Sequence, residues 1–210
     1  GEYVGLPKDQ DGNSEAGHMT IGAGRIVSQY STRIDNDIKS KNLGANPVFE
    51  EIKSYIQKRQ SRVHLVGLLT SGKVHASFDH LTALIEILTY KGIKNISLHL
   101  FTDGKDSGLK EAPRLVDKLN NFIKKFEDSS IFVATLIGRN FAMDRGNNWS
   151  LTKTSFELIT QNKGTAAEDL VEGLKNYYEN GFNDSNIPPL ANKDAIEGSI
   201  KENDAVIFFN

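Results

Sequence analysis

A segment near the start of the chain gathers several chemically active side chains among small residues. Asp11–Arg25 reads Asp-Gly-Asn-Ser-Glu-Ala-Gly-His-Met-Thr-Ile-Gly-Ala-Gly-Arg. The order Gly-Asn-Ser followed by Glu15 predicts a loop that leads into a helix N-terminus. There Ser14 would lie beside unpaired backbone N–H groups, which stabilise an anion. Ser14 is therefore a candidate nucleophile that accepts a phosphoryl group, although an ordinary N-cap serine on a glycine-rich turn fits the pattern equally well.

Five further candidates follow three apolar runs of the sequence. His75 comes after the first run, Lys105 and Asp106 after the second, and Arg139 and Arg145 after the third. Guanidinium groups bind carboxylate or phosphate through paired hydrogen bonds and a lysine adds a point charge, so the basic side chains suit a small, doubly anionic ligand. The Asp106 carboxylate could act as a general base toward a substrate hydroxyl, and the His75 imidazole could bind phosphate or relay a proton. The structural alternatives are solvated surface charges, a turn-forming aspartate and a helix-capping histidine.

The elements that must position these residues alternate regularly. The three apolar runs are predicted to be buried strands, at Val63–Leu69, Ile96–Phe101 and Ile131–Ile137. A polar loop and then a segment of helical periodicity follow each run, which predicts helices at Phe78–Lys91, Ala112–Phe126 and Leu151–Thr160. This alternation indicates an α/β fold of three layers, α/β/α, around a mostly parallel or mixed central sheet. Residues just beyond the carboxyl ends of such strands line the binding crevice, so the five candidates are expected at one edge of the sheet.

Further elements are predicted outside this repeat. Helices are expected at Ser31–Ser40, from Pro47 onwards and at Thr165–Tyr178, a loop at Pro188-Pro189, and a last strand at Ala205–Phe209. His64 and His99 alternate with apolar residues inside strands, and both are predicted to be structural.

The composition is that of a soluble globular protein, and it does not favour a nucleic acid or membrane partner. The chain has 210 residues, of which 38% are hydrophobic and 25% charged, and its net charge is −2. Nothing in this charge favours binding to nucleic acid or to an anionic membrane. The absence of cysteine excludes disulfides, thiolate catalysis and cysteine-bound zinc, and fits a reducing compartment. No apolar run approaches the roughly 20 residues that span a bilayer, and the turn-like start and the end directly after an apolar run predict a fragment.

Five segments, in chain order, resemble motifs of the cofactor-independent phosphoglycerate mutases. Asp11–Arg25 resembles the nucleophile segment of that family. Leu68–His75 reads Leu-Leu-Thr-Ser-Gly-Lys-Val-His and is similar to Leu-Leu-Ser-Asp-Gly-Gly-Val-His, while Phe101–Asp106 reads Phe-Thr-Asp-Gly-Lys-Asp and is similar to Phe-Leu-Asp-Gly-Arg-Asp. Gly138–Arg145 is similar to Gly-Arg-Tyr-Tyr-Ala-Met-Asp-Arg, and Asp204–Asn210 to the strand that leads into an arginine-rich segment. The resemblance extends over essentially the whole chain.

The resemblance implies an isomerase of glycolysis that interconverts 3-phosphoglycerate and 2-phosphoglycerate in the cytoplasm. In that family the phosphoryl group passes to a serine, the bound glycerate reorients, and the other hydroxyl takes the phosphoryl group back. Ser14 would be the catalytic nucleophile, and Asp106 the catalytic acid or base at the glycerate hydroxyl. The substrate-binding residues would be His75, Lys105, Asp106, Arg139 and Arg145.

The resemblance also implies how the chain divides and which cofactor the whole protein uses. The family has a phosphatase-like domain with two manganese ions, and an inserted substrate-binding domain splits it. Residues 1–28 would belong to the phosphatase-like domain and residues 29–210 to the inserted one. Ser14 would be a metal ligand and the other ligands would lie outside this chain, so no metal is expected to bind to this chain alone. The remaining phosphatase domain would be its partner in cis, with no nucleic acid or membrane partner.

The departures from the pattern of that family include four that bear on substrate binding in the resembled loops. Lys105 replaces an arginine and loses its bidentate fork, and Ser71, Lys73 and Ser77 replace an aspartate, a glycine and a histidine. Because the metal ligands are expected elsewhere, the chain is predicted to be inactive by itself. Two alternatives stay open: a non-catalytic binding module for small phosphorylated acids, and a metal-dependent phosphatase in which water receives the phosphoryl group.

Overall fold

The computed structural model describes residues 2–6 and 14–210, with the backbone alone described at Glu2 and Ile196. The chain divides into two compact units, Gly1–Phe49 and Glu50–Asn210. The boundary expected between residues 28 and 29 concerns the domains of the whole protein, and it stays a prediction. Asp11, Gly12 and Asn13 of the candidate nucleophile segment lie outside the described residues.

Helices and short turns make up the described part of the first unit. Its elements are 3-10 turns at Glu2–Val4 and Leu43–Ala45, α1 (Ser14–Ala23), α2 (Tyr30–Lys39) and the start of α3 (Val48–Arg59). The predicted helices at Ser31–Ser40 and after Pro47 are thereby confirmed. The Asn46 side chain accepts a hydrogen bond from the Val48 backbone N–H at 3.0 Å, which satisfies one of the free donors at the start of α3.

The second unit is built around a six-stranded sheet. Its strands are β1 (Val63–Leu69), β2 (Asn95–Thr102), β3 (Ser130–Gly138), β4 (Thr165–Ala167), β5 (Leu190–Asn192) and β6 (Ala205–Phe208). Their order across the sheet is β4-β5-β3-β2-β1-β6. β1, β2, β3 and β6 run parallel, β5 is antiparallel to β3, and β4 is parallel to β5. The predicted α/β fold with a mostly parallel or mixed sheet is therefore confirmed.

The central strands are covered on both faces. The helices of this unit are α4 (Phe78–Tyr90), α5 (Ala112–Ile123), α6 (Arg139–Ala142), α7 (Trp149–Gln161) and α8 (Leu170–Glu179), with 3-10 turns at Asp184–Asn186 and Lys193–Gly198. All 7 residues of β1 are buried, and since successive strand side chains point to opposite faces, both faces must be covered. On one face Val66, Phe101 and Ile137 belong to the same apolar cluster as Leu158 of α7. Among the described residues, no helix has the length and apolar character needed to cross a membrane.

The structure corrects one predicted helix. The segment Thr165–Tyr178 is not helical throughout, because Thr165–Ala167 forms β4 and α8 begins only at Leu170. The Asp169 carboxylate caps α8 by accepting the Val171 N–H at 2.7 Å, which fixes the start of the helix there. The residues before this cap pair with β5, a strand that follows the predicted loop at Pro188-Pro189. β5 and the four-residue α6 were not predicted, since such short elements depend on partners that are distant in sequence.

Buried polar side chains link β6, β1, β2 and β3 in a chain. Asp204, just before β6, lies with its Oδ2 3.0 Å from His64 Nε2. His64 Nδ1 lies 3.0 Å from His99 Nε2, and His99 Nδ1 lies 2.9 Å from Thr135 Oγ1. The two imidazole rings are buried and stack with their centroids 5.2 Å apart. Both histidines are therefore structural, as predicted.

Candidate functional site

The three central strands end level with one another. In the parallel register Leu69 of β1 pairs with Thr102 of β2, and Thr102 pairs with Gly138 of β3. The next residues along the three strands therefore stand side by side, and they are Thr70, Asp103 and Arg139. The exit loops of three separate strands consequently meet at one edge of the sheet, as their alternation predicted.

A cavity of about 500 Å³ opens at this edge. Four of the predicted site residues line it, namely His75, Lys105, Arg139 and Arg145. Lys105 and Arg145 are exposed, and none of the ion pairs within the described part of the chain involves them. Two positive charges are thus open to an anionic ligand, next to a third on Arg139.

The fifth candidate of the sheet edge, Asp106, lies beside the cavity lining. Its Oδ2 accepts a hydrogen bond from Arg139 Nη1 at 2.7 Å and lies 4.0 Å from His75 Nε2. The Asp106 side chain is 21% exposed. The carboxylate is therefore within reach of both a basic partner and solvent, which suits a group that exchanges a proton with a bound molecule.

A second carboxylate, Asp103, ties the three exit loops together, and it was not among the predicted site residues. Its side chain is fully buried. Its Oδ1 accepts hydrogen bonds from Arg139 Nη1 at 2.5 Å and from the backbone N–H groups of Lys105 and Asp106 at 3.2 and 3.1 Å. Its Oδ2 accepts from Thr70 Oγ1 at 2.5 Å. A usable signal existed in the sequence, because this aspartate precedes two candidates in the same strand-exit loop.

Asp103 and Arg139 form a buried ion pair, and hydrogen bonds keep both side chains charged. Burial alone would raise the pKa of Asp103, but hydrogen bonds from Thr70, the Asp106 backbone and Arg139 lower it below its usual value. Burial alone would lower the pKa of Arg139, but hydrogen bonds to Asp106 and Asp103 raise it. Within the described residues, the side-chain hydrogen bonds of Arg139 both use Nη1, which leaves Nε and Nη2 for a ligand.

A glycine allows the exit loops of β1 and β2 to approach closely. A Cβ atom added at Gly72 would lie 2.6 Å from the Asp106 carbonyl oxygen, a distance that no real side chain adopts. The Gly72 backbone N–H also donates to Thr70 Oγ1 at 2.9 Å. Any larger residue at this position would therefore displace the loop that carries Asp106.

Three of the departures named above, Ser71, Lys73 and Ser77, lie outside the cavity lining. Ser71 Oγ donates to Glu111 Oε2 at 2.6 Å, and Ser77 Oγ caps α4 by accepting the Asp79 N–H at 3.2 Å. Lys73 is exposed. Lys105, in contrast, lines the cavity.

Three polar residues of the lining were not predicted, namely Asn140, Asp144 and Asn210. The Asp144 carboxylate accepts the Asn148 N–H at 2.7 Å, and this bond holds the loop after α6 that carries Arg145. Asn210 comes to the same edge because it follows β6, which runs parallel to β1. The sequence signal for Asn210 was its position directly after the last apolar run, Ala205–Phe209.

The candidate nucleophile belongs to the other unit. Ser14 is exposed and is the first residue of α1, and its carbonyl oxygen lies 2.6 Å from His18 Nδ1. Within residues 2–6 and 14–210, no group of three or more His, Asp or Glu side chains could hold a metal ion. The donor set for the implied manganese ions is thus missing from the described chain, and the nucleophilic and metal-binding roles of Ser14 stay predictions.

Comparisons with known proteins identify the family. Residues 34–210 match the family model described as BPG-independent PGAM N-terminus (iPGM_N). A relative from Bacteroides fragilis, named 2,3-bisphosphoglycerate-independent phosphoglycerate mutase, is 39% identical over 210 residues, and one of the same name from Pyropia yezoensis is 38% identical over 213 residues. These matches cover 100% of this chain but only 41% and 39% of the relatives. The chain thus spans about two fifths of the length of these curated relatives.

A solved structure shows the same fold. A crystal structure of Leishmania mexicana phosphoglycerate mutase at low cobalt concentration matches with a TM-score of 0.91 and 30% sequence identity, over 100% of this chain and 40% of that one. The range that matches the family model contains every strand of the sheet and all five candidates at its carboxyl edge. The chain therefore belongs to the family of N-terminal regions of BPG-independent phosphoglycerate mutases, iPGM_N.

Proposed function

We propose that this chain provides the nucleophile and the substrate cavity of a phosphoglycerate mutase, which interconverts 3-phosphoglycerate and 2-phosphoglycerate in glycolysis. The observation that carries the proposal is the cavity at the carboxyl edge of the sheet, where basic side chains from three strand exits surround one space. Its volume of about 500 Å³ falls within the usual range of small-molecule sites. The names of the relatives support the same substrates.

The charges of the cavity fit a molecule with a carboxylate and a phosphate. Arg139 and Arg145 can each present two parallel N–H groups to an oxyanion, and Lys105 adds a point charge. His75 lies at the same lining and completes a basic surface. The proposed substrate-binding residues are accordingly His75, Lys105, Asp106, Arg139 and Arg145.

The reaction would proceed through a phosphoserine. Ser14 Oγ gives its proton to solvent and attacks the phosphorus atom, the bond from phosphorus to the glycerate oxygen breaks, and that oxygen takes a proton from Asp106. The glycerate then reorients and its other hydroxyl gives its proton to Asp106. The oxygen of that hydroxyl attacks the phosphoserine, the bond from phosphorus to Ser14 Oγ breaks, and Ser14 takes a proton back from solvent. Asp106 is suited to both transfers because Arg139 orients its carboxylate while the side chain stays partly exposed.

A divalent metal belongs to the proposal for the whole protein. The resemblance implies two manganese ions, and the Leishmania mexicana relative was crystallised with cobalt. The described residues do not include a donor set. The resemblance implies that those ligands lie in the remaining phosphatase-like domain, so this chain alone would be inactive and metal-free. The cytoplasmic location likewise stays a proposal from the resemblance.

Isothermal titration of 3-phosphoglycerate into this chain tests the cavity. We expect binding by the wild type and a loss of about tenfold or more for Arg145→Ala, since one charge-assisted contact contributes roughly 1.5–3 kcal/mol. Lys163→Ala is the matched control, because Lys163 is an exposed base that pairs with Glu157 and does not line the cavity. Equal affinities of the two variants would contradict the proposed site.

Activity of the whole protein separates the three candidate functions. A mutase converts 3-phosphoglycerate to 2-phosphoglycerate and carries label from the substrate phosphate on Ser14, and Ser14→Ala abolishes both. Release of inorganic phosphate as the main product would instead show a phosphatase. Binding without any turnover would show a binding module for small phosphorylated acids.

A further inference from the structure

We propose that Asp103 is a positioning residue, which holds the Arg139 guanidinium in its ligand-binding orientation, and that Thr70 holds Asp103 in turn. The inference deepens the proposed function, and it rests on that function only for the identity of the ligand. It adds to the substrate-binding residues two side chains that are absent from the cavity lining.

The register of the sheet places these three residues together. Each is the first residue after a central strand, and the strand ends are paired in line. Arg139 lines the cavity, whereas Asp103 and Thr70 are buried and do not line it. The contact between Arg139 Nη1 and Asp103 Oδ1, at 2.5 Å, therefore joins the guanidinium to a buried group and leaves Nε and Nη2 unused within the described residues.

Two carboxylates share Arg139 Nη1, and their surroundings suit different tasks. Asp106 is 21% exposed and lies 4.0 Å from His75, and the proposed proton transfers remove its charge, which weakens its bond to Arg139. Asp103 is fully buried and receives four hydrogen bonds, so it remains an anion while Asp106 changes its protonation state. Asp103 thus stays bonded to Arg139 in both protonation states of Asp106.

Thr70 in turn holds the Asp103 carboxylate in place. Its Oγ1 donates to Asp103 Oδ2 at 2.5 Å and accepts the Gly72 N–H at 2.9 Å. The hydroxyl therefore has one donor and one acceptor role, both of them used. Valine at this position would keep the shape and lose both bonds, whereas serine would keep both bonds.

The test compares Asp103→Asn, Thr70→Val and Thr70→Ser in the 210-residue chain. The matched control is Asp204→Asn, because Asp204 also accepts two backbone N–H groups and one side-chain bond, near the start of β1 rather than at its carboxyl end. The ligand-independent readout is the ¹⁵N NMR signal of the Arg139 guanidinium, assigned by its absence in Arg139→Lys. The second readout is the affinity for 3-phosphoglycerate, measured at a pH and temperature at which circular dichroism shows each variant folded.

We expect slow hydrogen exchange of the Arg139 guanidinium in the wild type, in Thr70→Ser and in Asp204→Asn. We expect fast exchange in Asp103→Asn and Thr70→Val, together with an affinity about 10–100-fold lower, the same size of loss as when the hydrogen-bond partner of a metal-binding residue is removed. In an Arg139→Lys background, Asp103→Asn should add less than about a twofold further loss, because the two residues act as a unit.

Retention of slow exchange in Asp103→Asn would overturn the proposal, and so would an equal effect of Asp204→Asn at equal stability. If Asp103→Asn does not fold, the Thr70 pair decides the question, and equal exchange in Thr70→Val and Thr70→Ser would refute it. A wild type that does not bind 3-phosphoglycerate would contradict the proposed function. The NMR arm would then still decide whether Asp103 orients Arg139.

Discussion

Acidification from about pH 7.5 to about pH 5 is expected to destabilise the sheet through His99. Burial, and then the adjacent His64, lower the pKa of His99 from 6.5 to about 3. Burial also lowers the pKa of His64, although its hydrogen bond to Asp204 opposes this. A carboxylate only accepts hydrogen bonds, so His64 Nε2 carries a proton toward Asp204. His64 Nδ1 can then accept from His99 Nε2, and the pair is satisfied with both rings neutral.

The size of the effect follows from the difference between the two pKa values. Below pH 6.5 the unfolded chain binds a proton at His99 and the folded chain does not, so stability falls as the pH falls. The slope is about 1.4 kcal/mol per pH unit for one histidine, which amounts to about 2 kcal/mol between pH 6.5 and pH 5. The loss would stop as the pH approaches the folded value of about 3. Asp184, whose pKa burial raises, contributes in the opposite direction, because the folded chain binds its proton more readily than the unfolded chain.

Urea unfolding at a series of pH values measures this slope, with His99→Asn as the comparison. Asparagine can donate to His64 and accept from Thr135, so it replaces the hydrogen bonds without the titrating group. We expect the variant to show a slope that is shallower by about 1.4 kcal/mol per pH unit between pH 6.5 and pH 5. An imidazole signal of His99 that titrates near pH 6.5, or a variant with the wild-type slope, would refute the reasoning.

Two further variants test local features of the fold by urea unfolding. Gly138→Ala is expected to lower the unfolding free energy by about 1–3 kcal/mol, because its Cβ would lie 2.6 Å from the Ser185 carbonyl oxygen. Gly17→Ala is the control and should cause no such loss, because nothing lies within 4 Å of the added Cβ. Equal effects of the two variants would contradict the crowding argument. Asp169→Ala is expected to cost about 1 kcal/mol through loss of the α8 cap, and Asp169→Asn much less; equal losses would show that capping is not the cause.

The sequence predicted the central strands well because their signal is local. Val63–Leu69 is a continuous apolar run, and the structure has β1 at the same bounds. Alternation with helices was enough to infer parallel pairing, and parallel pairing was enough to bring His75, Lys105, Arg139 and Arg145 to one edge. The sequence therefore predicted which residues lie together at this edge, but it did not predict the distances between them.

The features that the sequence did not predict depend on partners far away in the chain. In the sequence Thr165–Ala167 resembles the first turn of a helix, but in the structure it pairs with β5. Asp103 was overlooked because an aspartate before a glycine is ordinary turn chemistry, and nothing local shows that Thr70 and Arg139 lie on either side of it. The roles of Ser14, Asp106 and the basic residues stay predictions, since distances alone do not measure turnover.

The position of Arg139 depends on an irregularity in the sheet that no apolar pattern reveals. Between β2 and β3 the register shifts, since Leu98 pairs with Val133 and the next residue of β2 pairs with Thr135. Ala134 is thus an extra residue on β3, a β-bulge. Without it, the end of β2 would stand opposite Ile137, and Asp103 would face Gly138 rather than Arg139.

A shift of one residue also turns a strand side chain to the opposite face of the sheet. The bulge therefore decides whether the guanidinium after β3 meets the buried carboxylate after β2. Ile131–Ile137 was predicted as one uninterrupted strand, so the apolar pattern did not reveal the bulge, and β3 lies between β2 and β5 in the sheet. The loop residues thus supply the charges of the site. The register of β3 against β2 decides that Arg139 pairs with Asp103.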